Sequence, residues 1–345
     1  MNRLLKKKIS LVAAVAGAAG PTTTTVGAQA QAQAQRLGRA SENFLPRHPQ
    51  SDDRALRSDA NAIAAIDAVP EVESIVNGTA TGGPRSYMVG LTVEGSRFPT
   101  NCGGTLITPY VVLTAAHCMY FPQYPVWDPL DQVLVNLYNT TDQAGVVRIN
   151  IQDPSEGADI IVHPDYYECC QNTYVNDVAL MFLPIGQLAD YAQINDDPNV
   201  PVVPDPLRVM GWGLTELGLE FGATQESDVL RETTVDYISN EECQKIYAGE
   251  DLAGKEQPIT DGMMCGYKKG SGSCQGDSGG PAFLVDEDGE IGDRPTQVGV
   301  SSFSKKPCGE YPDVYTRVSY YAEWIKEAVC SRPEHATKEL CGSSK

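Results

Sequence analysis

Three short stretches of the sequence carry the side chains of a nucleophilic catalytic site, in the order histidine, aspartate, serine. They contain His117, Asp177 and Ser278. A serine hydroxyl attacks well only when a base takes its proton; neutral histidine is such a base near pH 7, and a buried carboxylate fixes its tautomer. Ser278 also lies in a glycine-rich turn, where the N–H groups of Gly276 and Ser278 can point towards a developing oxyanion without crowding by side chains.

Each of these residues, taken alone, also has an ordinary structural explanation. His117 fits a hydrogen-bonded core histidine, Asp177 fits the end of a strand, and the glycines around Ser278 fit a simple turn. Their joint occurrence, in order and within a β-rich pattern, favours a catalytic site over three separate coincidences.

The elements that must position these residues are short apolar runs separated by clusters of Gly, Pro, Asn and Asp. Runs such as Val111–Thr114 and Val178–Leu183 are typical of strands in an all-β sandwich or barrel. A Pro-rich stretch, Pro198–Pro206, separates a first set of runs from a second. An apolar stripe at helical spacing follows near the end, at Tyr321, Trp324, Ile325 and Ala328. The pattern predicts two β-barrels closed by a terminal helix.

The first 74 residues have a different character. Basic residues precede an apolar run of about eleven residues, Ile9–Ala19, and small residues follow at Ala28 and Ala30. This run is too short for a bilayer, which takes roughly 20 residues, but suits the core of a signal peptide; a short buried helix is the alternative. We therefore expect a signal peptide over 1–30, a propeptide or disordered leader over 31–74, and a secreted product.

Composition narrows the classes of partner. The 345 residues include 26 basic and 45 acidic side chains, which gives a formal charge of −19. Such a surface repels phosphate backbones and anionic lipids, so neither nucleic acid nor a membrane is an expected partner. Ten cysteines in an exported chain indicate disulfides formed in an oxidising compartment. No feature calls for a metal or another cofactor.

Further motifs agree with the three stretches. They are Ile75–Gly78, Cys102–Ile107, Gly211–Gly213 and Trp324–Ile325. With them, the chain from Ile75 to about Val329 resembles the trypsin/chymotrypsin-like secreted serine proteases. The resemblance implies an all-β fold of two six-stranded antiparallel β-barrels with a C-terminal helix, in one monomeric protease domain over 75–345.

The same resemblance implies a serine endopeptidase that works through an acyl-enzyme on protein or peptide substrates. It makes His117 the general base, Asp177 the orienting carboxylate and Ser278 the nucleophile, with an oxyanion hole at Gly276 and Ser278. Proteinaceous inhibitors and an activating protease are the other expected partners. The alternative is a catalytically silent homologue that serves as a binding or regulatory module; the presence of all three residues argues against it.

Activation follows from the resemblance as well. In the family, cleavage before the residue that matches Ile75 frees an α-ammonium, which pairs with the aspartate that matches Asp277 and sets the oxyanion turn. The chain would then be a zymogen. Residues Glu73 and Ser74 stand where trypsinogen-like relatives end in Lys or Arg. We therefore expect another protease, or stepwise trimming, to produce the Ile75 terminus.

The specificity pocket departs from that of trypsin at two positions. Gly272 stands six residues before Ser278, where trypsin-like members carry aspartate, and Asp313 stands where most relatives carry glycine. This exchange resembles the crab-type collagenolytic serine proteases. It implies a broad pocket that accepts Arg, Lys and large apolar side chains at P1, the substrate residue before the cleaved bond. The alternative is that Asp313 is a solvated turn residue and that specificity is chymotrypsin-like.

The opposite wall of the pocket is the stretch 302–304. By resemblance, Ser302 supports the carboxylate of Asp177, Phe303 walls the pocket, and substrate pairs with this stretch by β-augmentation. Ser304 replaces the usual glycine, and a side chain there is expected to narrow the pocket mouth, which opposes the breadth inferred from Asp313.

Six cysteines have counterparts in the family, which implies the pairs Cys102–Cys118, Cys243–Cys265 and Cys274–Cys308. Four have none: Cys169, Cys170, Cys330 and Cys341. Local closure favours Cys330 with Cys341 and leaves a strained vicinal pair. Cross-pairing to the C-terminal tail is the alternative, and metal binding by the vicinal pair lacks a supporting His/Cys spacing.

Two further features are left open by the sequence. Asn77–Thr79 and Asn139–Thr141 match N-glycosylation acceptors; only Asn139 is expected to be used, because Asn77 lies beside the new N-terminus. The insertion Met119–Asp131, which follows His117, either shapes substrate access or packs on the barrel.

Overall fold

The structure is a computed structural model that describes residues 74–96, 100–119, 130–151, 159–168, 174–187, 189–214, 226–248 and 258–342. The predicted signal peptide, the leader up to residue 73, Cys169, Cys170 and residues 120–129 of the insertion lie outside the described residues. Within the described part of the chain, no helix combines the length and the apolar character needed to cross a membrane.

Most strands of the N-terminal half form one curled antiparallel sheet. After a non-helical turn at Ser74–Asn77, strand β1 (Thr79–Ala80) joins the C-terminal sheet. The curled sheet contains β2 (Met88–Thr92), β3 (Cys102–Thr108), β4 (Val111–Thr114), β5 (Gln132–Val135), β6 (Val147–Asn150), β7 (Asp159–Val162) and β8 (Ala179–Phe182). Its spatial order is β6-β5-β2-β3-β4-β8-β7. It therefore has seven strands, and β6 and β7 form its edges in the described residues instead of closing a six-stranded barrel.

The C-terminal half closes on itself. Its strands are β9 (Gln193–Ile194), β10 (Pro206–Gly211), β11 (Arg231–Ile238), β12 (Met263–Tyr267), β13 (Pro281–Leu284), β14 (Thr296–Ser304) and β15 (Asp313–Arg317). Six of them follow the order β11-β10-β13-β14-β15-β12, and β12 pairs back with β11, which closes the barrel. Strand β9 pairs in parallel with β14, outside this ring.

The strands bury apolar side chains, which stabilises the two halves. All four residues of Val111–Thr114 are buried, as are those of Ala179–Phe182. The second barrel encloses its own cluster, which includes Val209, Val235 and Tyr315. Burial of a large aliphatic side chain contributes about 1.5–3 kcal/mol, so removal of these runs would unfold the sheets.

Five helices connect or cover the sheets in the described residues. They are α1 (Ala116–Met119), α2 (Asp165–Glu168), α3 (Asn240–Tyr247), α4 (Val318–Cys330) and α5 (Lys338–Cys341). The hydroxyl of Ser239 caps α3 by accepting a hydrogen bond from the N–H of Glu242. The stripe of α4 that contains Tyr321 and Ile325 packs into the apolar cluster of the first sheet. The predicted all-β fold with a C-terminal helix is confirmed.

Candidate active site

The side chains of His117 and Asp177 lie in direct contact. His117 is on α1, directly after β4, and Asp177 precedes β8, the partner of β4 in the sheet. Imidazole Nδ1 lies 2.8 Å from Asp177 Oδ2, and the His117 N–H donates to Oδ1 at 2.8 Å. Asp177 is fully buried. Because the carboxylate holds the ring at Nδ1, the neutral tautomer with the proton there keeps Nε2 available as a base.

The C-terminal half holds this carboxylate in place. The hydroxyl of Ser302 donates to Asp177 Oδ2 at 2.5 Å, and the hydroxyl of Thr316 donates to the Asp177 carbonyl at 2.7 Å. The register of β14 against β15 shifts between Ser301 and Phe303, so Ser302 lies at an irregularity of the ladder. Ser302 was predicted from the resemblance, whereas Thr316 was not predicted and has no local motif that would have indicated it.

The turn that contains Ser278 packs directly against the strands that lead to His117. The N–H of Gly103 donates to the Ser278 carbonyl at 2.7 Å. A Cβ at Gly279 would lie 2.3 Å from Thr114 Oγ1, so only glycine permits this approach. The described residues contain no hydrogen bond from the Ser278 hydroxyl to His117; such bonds often form only in the substrate complex.

The turn around Gly276 is closely packed, and two of its N–H groups make no hydrogen bond in the described residues. Gly276 has φ of +99°, and a Cβ there would lie 2.9 Å from the Cα of Gly213. Among the hydrogen bonds of the described residues, neither the N–H of Gly276 nor that of Ser278 is a donor. The turn is held by neighbouring bonds instead: the N–H of Asp277 donates to Cys274 O at 3.0 Å, and that of Gly280 to Asp277 O at 3.0 Å.

The carboxylate of Asp277 is buried beneath this turn. Its Oδ1 accepts from the N–H of Gly213 and its Oδ2 from that of Cys274, each at 2.8 Å. A Cβ at Gly211 would lie 2.0 Å from Oδ1, which excludes any side chain there. Burial raises the pKa of Asp277 to about 7, against the lowering effect of these two hydrogen bonds. Ile75, fully buried, lies in the apolar cluster of the second barrel.

Asp313, which we predicted to lie at the floor of the specificity pocket, is buried, with 3% of its surface exposed. Its Oδ2 accepts from the N–H of Ser273 at 2.6 Å and from the hydroxyl of Tyr315 at 3.2 Å. Its Oδ1 is also buried and has no hydrogen-bond partner in the described structure. Burial raises the pKa of Asp313 to about 7, and the charge of Asp277 adds to this rise. These surroundings are not those of a solvated turn residue.

Gly272 lies so close to Asp313 that a second carboxylate does not fit beside it. Gly272 has φ of +149°, and a Cβ there would lie 2.5 Å from Asp313 Oδ2. A side chain at residue 272, such as the aspartate of trypsin-like members, would collide with the carboxylate of Asp313. The two positions therefore accommodate one acidic side chain between them.

The stretch 302–304 presents one open strand edge. On one side, Phe303 pairs with Val314 and Ser304 with Asp313. On the other side, the last pair of the β13–β14 ladder is Pro281 with Val300, so the ladder ends before Ser302. An unpaired edge of this kind can accept an extended peptide.

Aromatic rings that the sequence did not single out flank this edge. Tyr174 stacks on Phe303 with 5.0 Å between ring centroids and meets His117 edge-on at 5.8 Å. Tyr247 meets Phe303 edge-on at 5.8 Å. Tyr174 precedes Asp177 by three residues, and this proximity was the available sequence signal. For Tyr247, on α3, there was none.

The structure contains the three disulfides implied by the resemblance: Cys102–Cys118, Cys243–Cys265 and Cys274–Cys308. A fourth joins Cys330 to Cys341, the pairing favoured by local closure. Cys102, His117 and Cys118 lie close enough together to suggest a metal site, but both thiols are used in a disulfide.

Comparison with known proteins gives a consistent assignment. The family model described as Trypsin matches residues 75–325. The chain is 31% identical over 246 residues to the CLIP domain-containing serine protease HP8 of Bombyx mori and 30% identical over 250 residues to Serine protease ea of Drosophila melanogaster. These alignments cover 65% and 66% of the chain, respectively. The chain spans about 60% of the length of each of these two relatives.

A third relative is shorter. Brachyurin of Leptuca pugilator is 33% identical over 238 residues, which cover 65% of the chain and 86% of that protein. The family match begins at Ile75, contains all three stretches of the candidate site and ends on α4. The chain therefore belongs to the trypsin family.

Proposed function

We propose that the chain is a secreted serine endopeptidase that cleaves peptide bonds through an acyl-enzyme. His117 Nε2 takes the proton of Ser278 Oγ, which attacks the scissile carbonyl, and the oxyanion is stabilised by the N–H groups of Gly276 and Ser278. His117 then gives the proton to the leaving amine, and water repeats the sequence to release the acid. The 2.8 Å contact between imidazole Nδ1 and Asp177 Oδ2 carries this proposal, because it fixes the ring that must move the proton.

The proposed P1 preference is broad and includes Arg, Lys and large apolar side chains. The unpartnered Oδ1 of Asp313 supports acceptance of a cation, since a buried carboxylate oxygen without a donor is costly unless a ligand supplies one. Gly272 leaves the rest of the floor without a side chain, which supports acceptance of apolar groups. Ser304, at the mouth, restricts the largest of them.

The proposed activation is cleavage before Ile75 by another protease or by trimming. The new α-ammonium would pair with Asp277, whose buried carboxylate has no cationic partner among the described ion pairs. We further propose that the chain is made with a signal peptide over 1–30, carries a glycan at Asn139 and acts as a monomer. Protein substrates, proteinaceous inhibitors and the activating protease are its proposed partners.

The first experiment tests the activity. Protein secreted and cleaved before Ile75 is treated with an organophosphonate, and the labelled peptide is identified by mass spectrometry. We expect one adduct, on Ser278, that is lost in Ser278→Ala. A correctly cleaved wild-type chain that takes no label and cleaves no peptide in a mixed peptide library would support the silent-homologue alternative and refute the proposal.

The second experiment tests the pocket. The same peptide library gives the P1 profile of wild type and of Asp313→Gly, with cleavage after Phe as the internal control. We expect Asp313→Gly to lose cleavage after Arg and Lys and to keep cleavage after Phe. Equal cleavage after Arg and Lys by both proteins would refute the role of Asp313.

A further inference from the structure

Two lysines follow the open strand edge of the candidate site. Lys305 and Lys306 come directly after Ser304, in a chain whose formal charge is −19. Lys306 is exposed and Lys305 is half-buried. Neither is part of an ion pair among the described residues. Two cations that are consecutive in the sequence and have no ion-pair partner in the described residues attract anions to this part of an acidic protein.

The position of Lys305 is fixed by the protein. Its N–H donates to the hydroxyl of Tyr247 at 3.2 Å, and that hydroxyl donates to Pro312 O at 2.8 Å. Its ammonium lies 4.9 Å from the ring centroid of Tyr247 and donates to Ile246 O at 3.5 Å. The carbonyl and the ring take up only part of the hydrogen-bonding capacity of the ammonium. The Lys305 ammonium can therefore also contact a ligand at the surface.

Ring contacts connect this ammonium to the reacting centre. From His117 the contacts pass to Tyr174, then to Phe303, then to Tyr247, and finally to Lys305. The centroid distances for the first three steps are 5.8, 5.0 and 5.8 Å, and the last step is the 4.9 Å cation–π contact. These steps set an upper limit on the distance between Lys305 and the imidazole, and an extended peptide, which advances about 3.3 Å per residue, covers such a distance with several residues.

The direction of a bound substrate follows from the same edge. Ser302 contacts Asp177, beside the imidazole, whereas Ser304 lies two residues further from it along β14. In a bound peptide, the P1 residue enters the pocket near the imidazole, and the backbone before it pairs with 302–304. The residues upstream of the cleaved bond therefore run towards Lys305. P4 and P5, the fourth and fifth residues before that bond, would pass the two lysines.

We propose that Lys305 and Lys306 form an upstream subsite for acidic residues, so that the enzyme prefers protein segments with Asp or Glu at P4 and P5. This inference rests on the proposed endopeptidase activity. The subsite would select among segments that share the same P1 residue. The negative surface of the protein repels acidic substrates, but salt at 0.1 M screens this repulsion beyond about 10 Å. The two lysines would therefore have to outweigh the repulsion only over contact distance.

The test uses three internally quenched peptides that are identical from P3 to P3′ and carry the best P1 residue of the library profile. They differ only at P4 and P5, which are both Asp, both Ala or both Lys. We expect kcat/KM to fall in that order, by about fivefold between Asp and Ala, through KM and not kcat. The difference should shrink in 0.5 M NaCl, as a contact between exposed charges requires.

Charge variants identify the residues responsible. The double variant Lys305→Gln/Lys306→Gln should cleave the Asp and Ala peptides equally, and Lys306→Glu alone, which leaves the packing on Tyr247 intact, should reduce or invert the preference. Lys338→Glu is the matched control for Lys306→Glu, because it makes the same change of charge at an exposed position on α5. This variant should keep the preference for Asp at P4 and P5.

Two results would overturn the inference. Equal cleavage of the three peptides by wild type, or an unchanged preference for Asp in the double variant, would refute the subsite while leaving the proposed activity intact. Failure of the correctly cleaved protein to cut any of the peptides, including the Ala peptide, would refute the proposed activity and this inference together.

Discussion

Ser302 and Asp177 are separated by 125 positions in the sequence, yet their side chains share a hydrogen bond. That bond is the direct contact through which the C-terminal half orients the carboxylate beside His117. Asp177 Oδ2 already accepts from the imidazole, so Ser302 adds a second donor to the same oxygen. The hydroxyl acts through Asp177, which makes Ser302 a positioning residue.

We predict that Ser302→Ala lowers kcat at least tenfold with little change in KM. A hydrogen bond to a charged group contributes about 1.5–3 kcal/mol, and alanine keeps the backbone that would pair with substrate. Steady-state kinetics with one good peptide measures the effect. Ser319→Ala is the matched control, because the Ser319 hydroxyl is buried without a hydrogen-bond partner in the described structure. Equal losses in both variants would contradict the positioning role.

The protonation of Asp313 gives a second prediction at this scale. Only an ionised carboxylate attracts a cationic P1 side chain, and burial raises the pKa of Asp313 to about 7. The ratio of kcat/KM for P1 Lys over P1 Phe should therefore rise with pH, reach half of its full value near pH 7, where half of the carboxylate is ionised, and level off at about pH 8. Taking the ratio cancels the titration of the catalytic groups. Assays from pH 5.5 to 8.5 measure it, and Asp313→Asn should give a low, flat ratio; a flat wild-type ratio would count against Asp313.

At the scale of elements, the segment after α4 packs back onto the first sheet. The Arg332 guanidinium lies 4.0 Å from the ring centroid of Phe182 and forms an ion pair with Asp159. His335 meets Phe182 edge-on, with 5.3 Å between ring centroids. The family match ends at residue 325, so this packing lies beyond it.

We predict that Cys341→Ser lowers the free energy of unfolding by about 2–3 kcal/mol and leaves kcat unchanged. The disulfide with Cys330 closes a loop of sequence separation 11, and its removal frees the C-terminal segment in both the folded and the unfolded chain. Urea denaturation of the Ser278→Ala background avoids self-cleavage. Lys338→Ser, an exposed change on the same short helix, is the control. A loss of kcat with unchanged stability would contradict a purely structural role.

At the scale of the whole molecule, activation would couple the chain terminus to the buried acidic groups. In the uncleaved chain burial raises the pKa of Asp277 to about 7, well above the ordinary value near 3.9. Between those values the unfolded chain releases a proton that the folded chain retains. The contribution of Asp277 to the free energy of unfolding is therefore fully present below about pH 4 and is lost as the pH rises towards 7.

We predict that the Ser278→Ala precursor loses more stability between pH 5 and pH 8 than the same variant cleaved before Ile75, by about 2 kcal/mol. In the cleaved chain an ammonium would pair with Asp277 and lower its pKa, so less stability would be lost. Urea unfolding of both forms at both pH values measures the difference. The precursor with Asp277→Asn should show the smaller pH dependence; identical pH dependence in all three proteins would contradict the coupling.

The sequence by itself determined the fold class and the residues of the candidate site, because these depend on local signals. Short apolar runs predict strands, the stripe at Tyr321 and Ile325 predicts a helix, and the glycines around Ser278 predict a turn. The resemblance then gave roles to His117, Asp177 and Ser278. Those signals lie within a few residues of each position, so no knowledge of long-range contacts was needed.

Only the tertiary structure decided which residues that are distant in the sequence come into contact. Such contacts are found in four places: Thr316 contacts Asp177, Asp313 is buried against Gly272, a row of rings leads to Lys305, and His335 packs on Phe182. Such contacts depend on strand register and on the curvature of the sheets, including whether the first sheet closes. A change of one residue in register would redirect every side chain of a strand to the other face, and no local pattern encodes that choice.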